Sequence, residues 1–260
     1  MKRCDCCGDN MTVRGNQYYC ASCGNTAPLE KSAPAPAPTP TPVNVSKKST
    51  SGADVFENNV NGILEIRCPD GNVLHSGSGL LINKIGYCVT NAHVVSDKTG
   101  RVYPEIQAKL AGETVKAYVM VLADNQGGHG KGDDLAVLRL ERVPSKACPV
   151  KLADFNKVRI GEEVFVIGNS LGYGTCITSG IVSDKSRNVN GKMLMMTDCA
   201  VNGGNSGGPI FNAEGNVIGV ICSGIDGAEG MNFAIPTTTV KKCLDVMASS
   251  QYFTDLKGTY

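Results

Sequence analysis

Asp198-Cys199-Ala200-Val201-Asn202-Gly203-Gly204-Asn205-Ser206-Gly207-Gly208-Pro209 is the stretch on which the reading of this chain turns. Four glycines surround Ser206. Lacking Cβ atoms, they let backbone amides approach a bound group closely and reach conformations closed to other residues. A Gly-rich hairpin loop with an incidental serine is the plain alternative. Pro209-Ile210-Phe211 opens a new apolar run, so the serine lies in a loop that leads into a strand.

A serine hydroxyl is a poor nucleophile at neutral pH and needs a base to take its proton. Gly204-Asn205-Ser206-Gly207-Gly208 also fits the Gly-x-Ser-x-Gly elbow of α/β-hydrolases, which place their His after the Ser, on a strand-to-helix turn. The three His of this chain, 75, 93 and 129, all precede Ser206, and a strand follows it, so that reading fails. His93 is the candidate base: Val89-Thr90-Asn91-Ala92-His93-Val94-Val95 puts it at the end of a predicted strand, where a side chain can enter a cleft. His75 beside a Gly/Ser turn and His129 in Gly127-Gly128-His129-Gly130 read as solvent-exposed. A base imidazole also needs an acceptor to fix its tautomer. Asp134, just ahead of Leu135-Ala136-Val137-Leu138, can be held at a strand start, while Asp133 would point elsewhere and complete the turn. His93, Asp134 and Ser206 form the candidate catalytic triad, in the chain order of the chymotrypsin-like enzymes.

The surrounding sequence reads as all-β. From about residue 53, short apolar or alternating runs recur between Gly, Asn and Asp: 62–67, 79–82, 87–90, 115–122, 135–140, 164–167, 176–182, 193–197 and 217–222. Asn190-Gly191 is a strong hairpin signal and Glu214-Gly215 a second. Such a series without regular intervening helices predicts barrels or a sandwich. One helix is expected late: after Pro236 and Thr237–Thr239, the residues Val240, Cys243, Leu244 and Met247 follow helical spacing, with Lys241 and Lys242 toward solvent. Lys+Arg 25 against Asp+Glu 24 leaves a formal net charge of +1, which does not draw the chain toward nucleic acid or an anionic membrane. No run approaches the roughly 18 apolar residues of a spanning helix. Met1-Lys2-Arg3-Cys4-Asp5-Cys6-Cys7 has no apolar stretch behind its charges, so a cytoplasmic protein is expected, its Cys serving as metal ligands and buried thiols.

Across roughly residues 60–245 the chain resembles the HtrA (Deg) family of trypsin-like serine proteases. The likeness is carried by Ser78-Gly79, Val89–Val95, Asp134-Leu135-Ala136-Val137, Ile167-Gly168-Asn169-Ser170-Leu171-Gly172, Thr178–Ser183, Thr197-Asp198, Gly204–Pro209 and Asn232-Phe233-Ala234-Ile235-Pro236. The resemblance implies two six-stranded β-barrels of the chymotrypsin-like fold, an active site between them, and the triad above. It also implies an oxyanion hole from the backbone N–H groups of Gly204 and Ser206. Digestive trypsin-like enzymes carry an acid before the serine that pairs with a newly cut N-terminus; Asn205 stands here instead, so zymogen activation of that kind is not expected. The position that sets charge preference in the first specificity pocket aligns with Ala200, and a Lys or Arg side chain buried there would lack a partner. Cleavage after small or medium aliphatic residues is therefore expected, with Val201 and Ile221 as further pocket walls. Family members commonly form trimers, and a homotrimer is one expectation. They usually add one or two PDZ domains, for which the ten or so residues after the predicted helix leave no room.

Cys4-x2-Cys7 and Cys20-x2-Cys23, twelve residues apart, make a four-thiolate set, with Gly8 and Gly24 easing each knuckle. Tetrahedral Zn²⁺ suits such a set, and so small a module has too little core to fold alone. It resembles a zinc ribbon; a redox dithiol and an iron–sulfur site are the alternatives, and Cys6 is the spare. No cofactor is expected for catalysis. The ribbon's weak basicity favours a protein partner over nucleic acid, and a structural or regulatory cap is equally open. Pro at every second position in Ala33–Pro42 disfavours helix and sheet and reads as an extended spacer, or else as an SH3-type ligand. The expected organisation is a zinc ribbon over 1–27, a linker over 28–52 and a protease domain over 53–252, with barrels at about 53–150 and 151–236 and then the helix. The expected function is endoproteolysis of exposed or unfolded polypeptide, in intracellular quality control. A non-proteolytic peptide-binding or sensor protein is the alternative.

Overall fold

The computed structural model describes residues 2–29, 51–123, 132–224 and 230–260. The alternating-proline run 33–42 and His129 lie outside the described residues. The chain divides into two compact units, Met1–Lys47 and Lys48–Tyr260.

The first unit holds a small antiparallel sheet of β1 (Thr12–Arg14), β2 (Gln17–Tyr19) and β3 (Thr26–Pro28), in that order. Among the described residues its buried apolar set is Cys4, Met11 and Cys20, with Tyr18 and Ala27 packed on them. Apolar burial on that scale leaves a fold of this length short of stability.

The second unit opens with α1 (Gly52–Asn59), whose start is fixed by a reciprocal cap between Ser51 and Asp54. Strands β4 (Ile63–Asp70), β5 (Val73–Leu81), β6 (Tyr87–Thr90), β7 (Gln107–Leu110), β8 (Glu113–Ala123) and β9 (Leu135–Leu140) close into a barrel of order β4-β5-β6-β9-β8-β7. A four-residue helix, α2 (Ala92–Val95), follows β6. Strands β10 (Glu163–Asn169), β11 (Thr175–Val189), β12 (Lys192–Thr197), β13 (Pro209–Asn212), β14 (Val217–Gly224) and β15 (Asn232–Pro236) close a second barrel, β10-β11-β12-β15-β14-β13. α3 (Thr237–Ala248) completes the set.

Local chemistry sets these elements. β8 alternates, with Val115 and Ala117 buried and Thr114, Lys116 and Tyr118 exposed, so one face meets the barrel interior. Asn190 (φ 52°) and Gly191 (φ 85°) form the two-residue turn between β11 and β12, in register Val189 to Lys192. Both residues take left-handed φ there, as a type I′ turn requires. α3 buries Val240, Leu244 and Met247 on one stripe, as the spacing predicts. Lys241 differs from expectation: it is half-buried, and its ammonium finds an acceptor in the Ala153 carbonyl at 3.0 Å.

Each barrel has its own apolar centre, around Leu64, Ile66, Leu110 and Leu138 in the first and Val164, Met195, Ile210 and Ile218 in the second. A third cluster joins Leu80, Val89 and Leu135 to Phe165, Ile167 and Phe211, and on to α3 through Leu244. That shared seam binds the barrels into one body. Beyond α3 the chain returns to it: Leu256 is buried, Asp255 accepts from the Tyr87 hydroxyl at 2.9 Å, and Thr259 accepts from Asn83 at 2.8 Å.

Candidate active site

The pairing of β6 with β9 carries Thr90 opposite Ala136. Continuing that antiparallel register sets residue 92 opposite 134, and the Ala92 N–H donates to the Asp134 carbonyl at 3.2 Å. His93, the next residue, is thereby delivered to the Asp134 carboxylate. Its Nδ1 lies 2.8 Å from Asp134 Oδ2 and its backbone N–H donates to Oδ1 at 3.1 Å. Both carboxylate oxygens thus act on one histidine. His93 sits in the first turn of α2, one step past the strand end that the sequence suggests. Asp134 has φ 54°, a left-handed conformation uncommon for a residue with a Cβ. It is secured by Asn91, whose side-chain amide donates to the Asp134 carbonyl at 2.9 Å.

Ser206 occupies the loop between β12 and β13, half-buried. The loop is tied to both barrels. The Ser206 carbonyl accepts from the Ser78 N–H at 2.8 Å, while the Gly207 N–H donates to Ile221 and the Ile221 N–H returns to Gly208, both at 2.8 Å. Gly207 has φ 83°, and a Cβ built there would lie 2.2 Å from both the Ser78 carbonyl oxygen and Thr90 Oγ1. Only glycine fits between the loop and the strand end that leads to His93. Gly204 is similar, with φ 94° and the Asn169 carbonyl oxygen 2.2 Å from an added Cβ.

The donors in this loop fall into two classes. Asn205 N–H is bound to Asn202 O, Gly207 N–H to Ile221 O and Gly208 N–H to Asn205 O. The N–H groups of Gly204 and Ser206 have no acceptor among the described residues. Their peptide partners are fixed, since Gly203 O accepts from Leu171 N–H at 2.7 Å and Asn205 O from Gly208 N–H at 2.9 Å. In a planar trans peptide the N–H points opposite to its C=O, so both free donors are aimed away from those bonds.

Among the residues assigned to the pocket, Ala200 is exposed and its carbonyl accepts from Thr178 Oγ1 at 2.9 Å. Val201 packs against the second barrel's core, in which Ile221 is fully buried. Ile221 therefore acts on the serine loop chiefly through its backbone. His75 is not the free surface histidine expected: its ring stacks on Tyr103 at 4.3 Å and 14°. Asp133 turns to a cavity lined by Val121, Ala123 and Cys243. Burial pushes the Cys199 thiol, close in sequence to the loop, up to about 11, leaving it neutral and a poor competitor for Ser206. Sequence reading gave no role to Asn91, Ser78 or Asn169. Each stands in a stretch shared with the HtrA family, which was the one available signal.

A second cluster lies in the first unit. The sulfurs of Cys4, Cys7, Cys20 and Cys23 are all within 4.8 Å of one another, with Cys4–Cys23 and Cys7–Cys20 both at 3.5 Å. Two matching knuckles present them: Gly8 N–H donates to Cys4 O and Gly24 N–H to Cys20 O, both at 2.9 Å, with φ 79° and 75° at the glycines. The N–H groups of Cys6 and then Cys7 draw the Cys4 thiol down to about 6. Cys23 has the Asn25 N–H favouring its thiolate, but the Cys4 sulfur, burial and the other two sulfurs together push it up. Four thiolates this close repel one another unless a cation sits among them. Zn–S bonds of about 2.3 Å in a tetrahedron place sulfurs about 3.8 Å apart, which the cluster matches. Cys6 stands outside it.

Residues 77–220 match the family model of the trypsin-like peptidase domain. The chain belongs to that family. Among curated relatives, the peptidase is 40% identical over 182 residues to a protein of Brucella suis named probable periplasmic serine endoprotease DegP-like, covering 65% of this chain and 32% of that protein. It is 33% identical over 202 residues to Protease Do-like 5, chloroplastic, of Arabidopsis thaliana, covering 74% and 60%. Among solved structures it is similar to the serine endoprotease from Yersinia pestis, with TM-score 0.64, 28% identity and coverage of 76% and 66%. The HtrA-type protease AlgW with a tripeptide gives TM-score 0.66, 27% identity and coverage of 76% and 64%. The peptidase spans about a third of the length of the first of these relatives. Its body has the all-β chymotrypsin-like fold, and its domain is of the HtrA/DegP serine protease kind.

The expected cytoplasmic setting is corrected by these names, which are periplasmic for the bacterial relatives. That expectation rested on the residues just after Met1. Cys68, Cys88 and Cys199 are free and buried, and a thiol sealed in this way survives in either setting, whereas Cys148 and Cys176 are free and exposed.

Proposed function

We propose that this chain is a serine endopeptidase that cleaves exposed polypeptide by acyl transfer to Ser206. The observation that carries the reading is the double engagement of His93 by Asp134, at 2.8 and 3.1 Å, beside a serine loop tied to the same strand end. In this mechanism His93 Nε2 takes the Ser206 hydroxyl proton as Oγ attacks the scissile carbonyl carbon. The imidazolium then gives the proton to the leaving amine. A water repeats both steps to release the acyl group. Asp134 holds Nδ1–H and offsets the imidazolium charge. The Gly204 and Ser206 N–H groups meet the negative oxygen of the tetrahedral intermediate. Relatives named serine endoproteases favour this reading over a non-proteolytic groove. A fluorophosphonate probe should label Ser206, as located by mass spectrometry; labelling at another residue would reject the nucleophile.

Ala200 and Val201 are proposed to line the first specificity pocket, with Ile221 behind them. With no carboxylate there, kcat/KM for a peptide with Val or Ala before the cut should exceed that for Lys by about 100-fold or more. A peptide library cleaved preferentially after Lys or Arg would overturn the assignment.

The first unit is proposed to be a zinc ribbon held by Cys4, Cys7, Cys20 and Cys23, with zinc structural and outside the reaction. Elemental analysis should give one zinc per chain, and Cys20→Ser should lose it. Metal binding supplies about 10–16 kcal/mol in ribbon-like peptides, so chelation should also abolish amide protection over residues 2–29 while peptide hydrolysis persists. Iron, or protection without metal, would refute the proposal. The ribbon's role is proposed to be recruitment of a protein partner.

A further inference from the structure

We infer that Ser78 is a positioning residue for the oxyanion-binding amides of the serine loop, an inference that rests on the proteolytic reading above. Ser78 lies in β5 of the first barrel and is fully buried. Every polar group it has is used, and three of its four bonds lead into the active-site loops. Its N–H donates to Ser206 O at 2.8 Å. Its hydroxyl donates to Gly204 O at 2.7 Å and accepts from Asn169 N–H at 2.8 Å. Its carbonyl accepts from Thr90 Oγ1 at 2.6 Å, which anchors it to the strand that leads to His93.

The consequence lies in which peptides these bonds fix. Gly204 O and Ser206 O bracket the Asn205–Ser206 peptide, so one residue holds both ends of the unit that carries the Ser206 N–H. The hydroxyl also joins Gly204 to Asn169. Two residues further on, Leu171 N–H holds the Gly203 carbonyl and so directs the Gly204 N–H. Leu171 is mostly exposed and has φ 53°, a left-handed turn with little packing of its own, so the Asn169 anchor matters to its placement. A single hydroxyl therefore couples the orientation of both free donors to the first barrel. Space around it is tight: a Cβ on Gly168 would lie 2.9 Å from Ser78 Oγ.

Ser78→Ala tests this. Removing one oxyanion donor costs about 100- to 1,000-fold in known enzymes, and loosening two without removing either should cost about 10- to 100-fold in kcat. KM should stay within about threefold and the pH–rate profile should keep its shape, because the pocket and the His93–Asp134 contact are untouched. Affinity for a peptide boronate, whose tetrahedral adduct needs those donors, should fall in parallel with kcat. Thr237→Val, which removes the hydroxyl bond from the first residue of α3 to Ala153 O at 3.2 Å, should lower the melting temperature and leave kcat within about threefold. If Ser78→Ala is insoluble, Ser78→Cys supplies a weaker, longer donor in the same place and should lose about 3- to 10-fold in kcat at constant KM. A folded Ser78 variant with wild-type kcat, or one that changes only KM, would overturn the inference while leaving the proteolytic reading intact. Wild-type hydrolysis that survives Ser206→Ala would overturn both.

Discussion

Ser206→Ala is expected to remove peptide hydrolysis almost entirely, with kcat falling about 10⁶-fold, as when the nucleophile of a serine protease is deleted. The fold should be undisturbed, because the Ser206 backbone, not its side chain, makes the contact to Ser78. A residual acceleration of about 10³–10⁴ over water is expected to survive, supplied by bound orientation and by the Gly204 and Ser206 amides. Casein degradation followed by gel, with the variant matched to wild type in melting temperature, is the measurement. Equal turnover by both proteins would end the assignment of the nucleophile.

Asp134→Asn should lower kcat by about 10⁴-fold with little change in KM. Asp134 now accepts two hydrogen bonds from one residue, Nδ1–H and the backbone N–H of His93. An amide has one accepting oxygen. If that oxygen keeps the backbone N–H, the NH₂ faces Nδ1 and forces the proton to Nε2, where the ring can no longer take a proton from Ser206. If it turns the other way, the NH₂ meets the His93 backbone N–H and the turn loses its anchor. Either outcome impairs the base without emptying the site. Asp133→Asn, at the adjacent acid facing the cavity beside Val121 and Cys243, should stay within about threefold of wild type. Steady-state kinetics on one peptide decide both, and comparable losses at 133 and 134 would show that loop structure matters, not the carboxylate on His93.

Much of the candidate site is legible in the sequence because the signals for it are local. Ser206 announces itself through its glycines, and His93 and Asp134 through the strands beside them. The register of β6 with β9 then does the rest. Asn190-Gly191 and the stripe of α3 were equally plain, since a turn type and a helical period are written in adjacent residues. What escaped depends on distant partners. β7, Gln-Ala-Lys-Leu, has two apolar residues and is a strand only because β4 and β8 flank it. The polar second half of β11 runs on to Val189 because β12 pairs with it through a bulge. α1 holds one capping box and one buried apolar side chain, too little for a periodicity. The left-handed Asp134 and the bonds of Ser78 span up to 126 residues of chain, and no spacing rule reaches so far.

In the proposed mechanism His93 and Asp134, the base and its orienting carboxylate, both belong to the first barrel, whereas Ser206 and the amides beside it belong to the second. Neither half holds a complete reaction centre. On the proposed reading the chemistry is a property of the seam: Leu80, Val89 and Leu135 packing with Phe165 and Phe211 hold the barrel that carries the imidazole against the barrel that carries the alcohol. If so, neither hemisphere alone should hydrolyse a peptide.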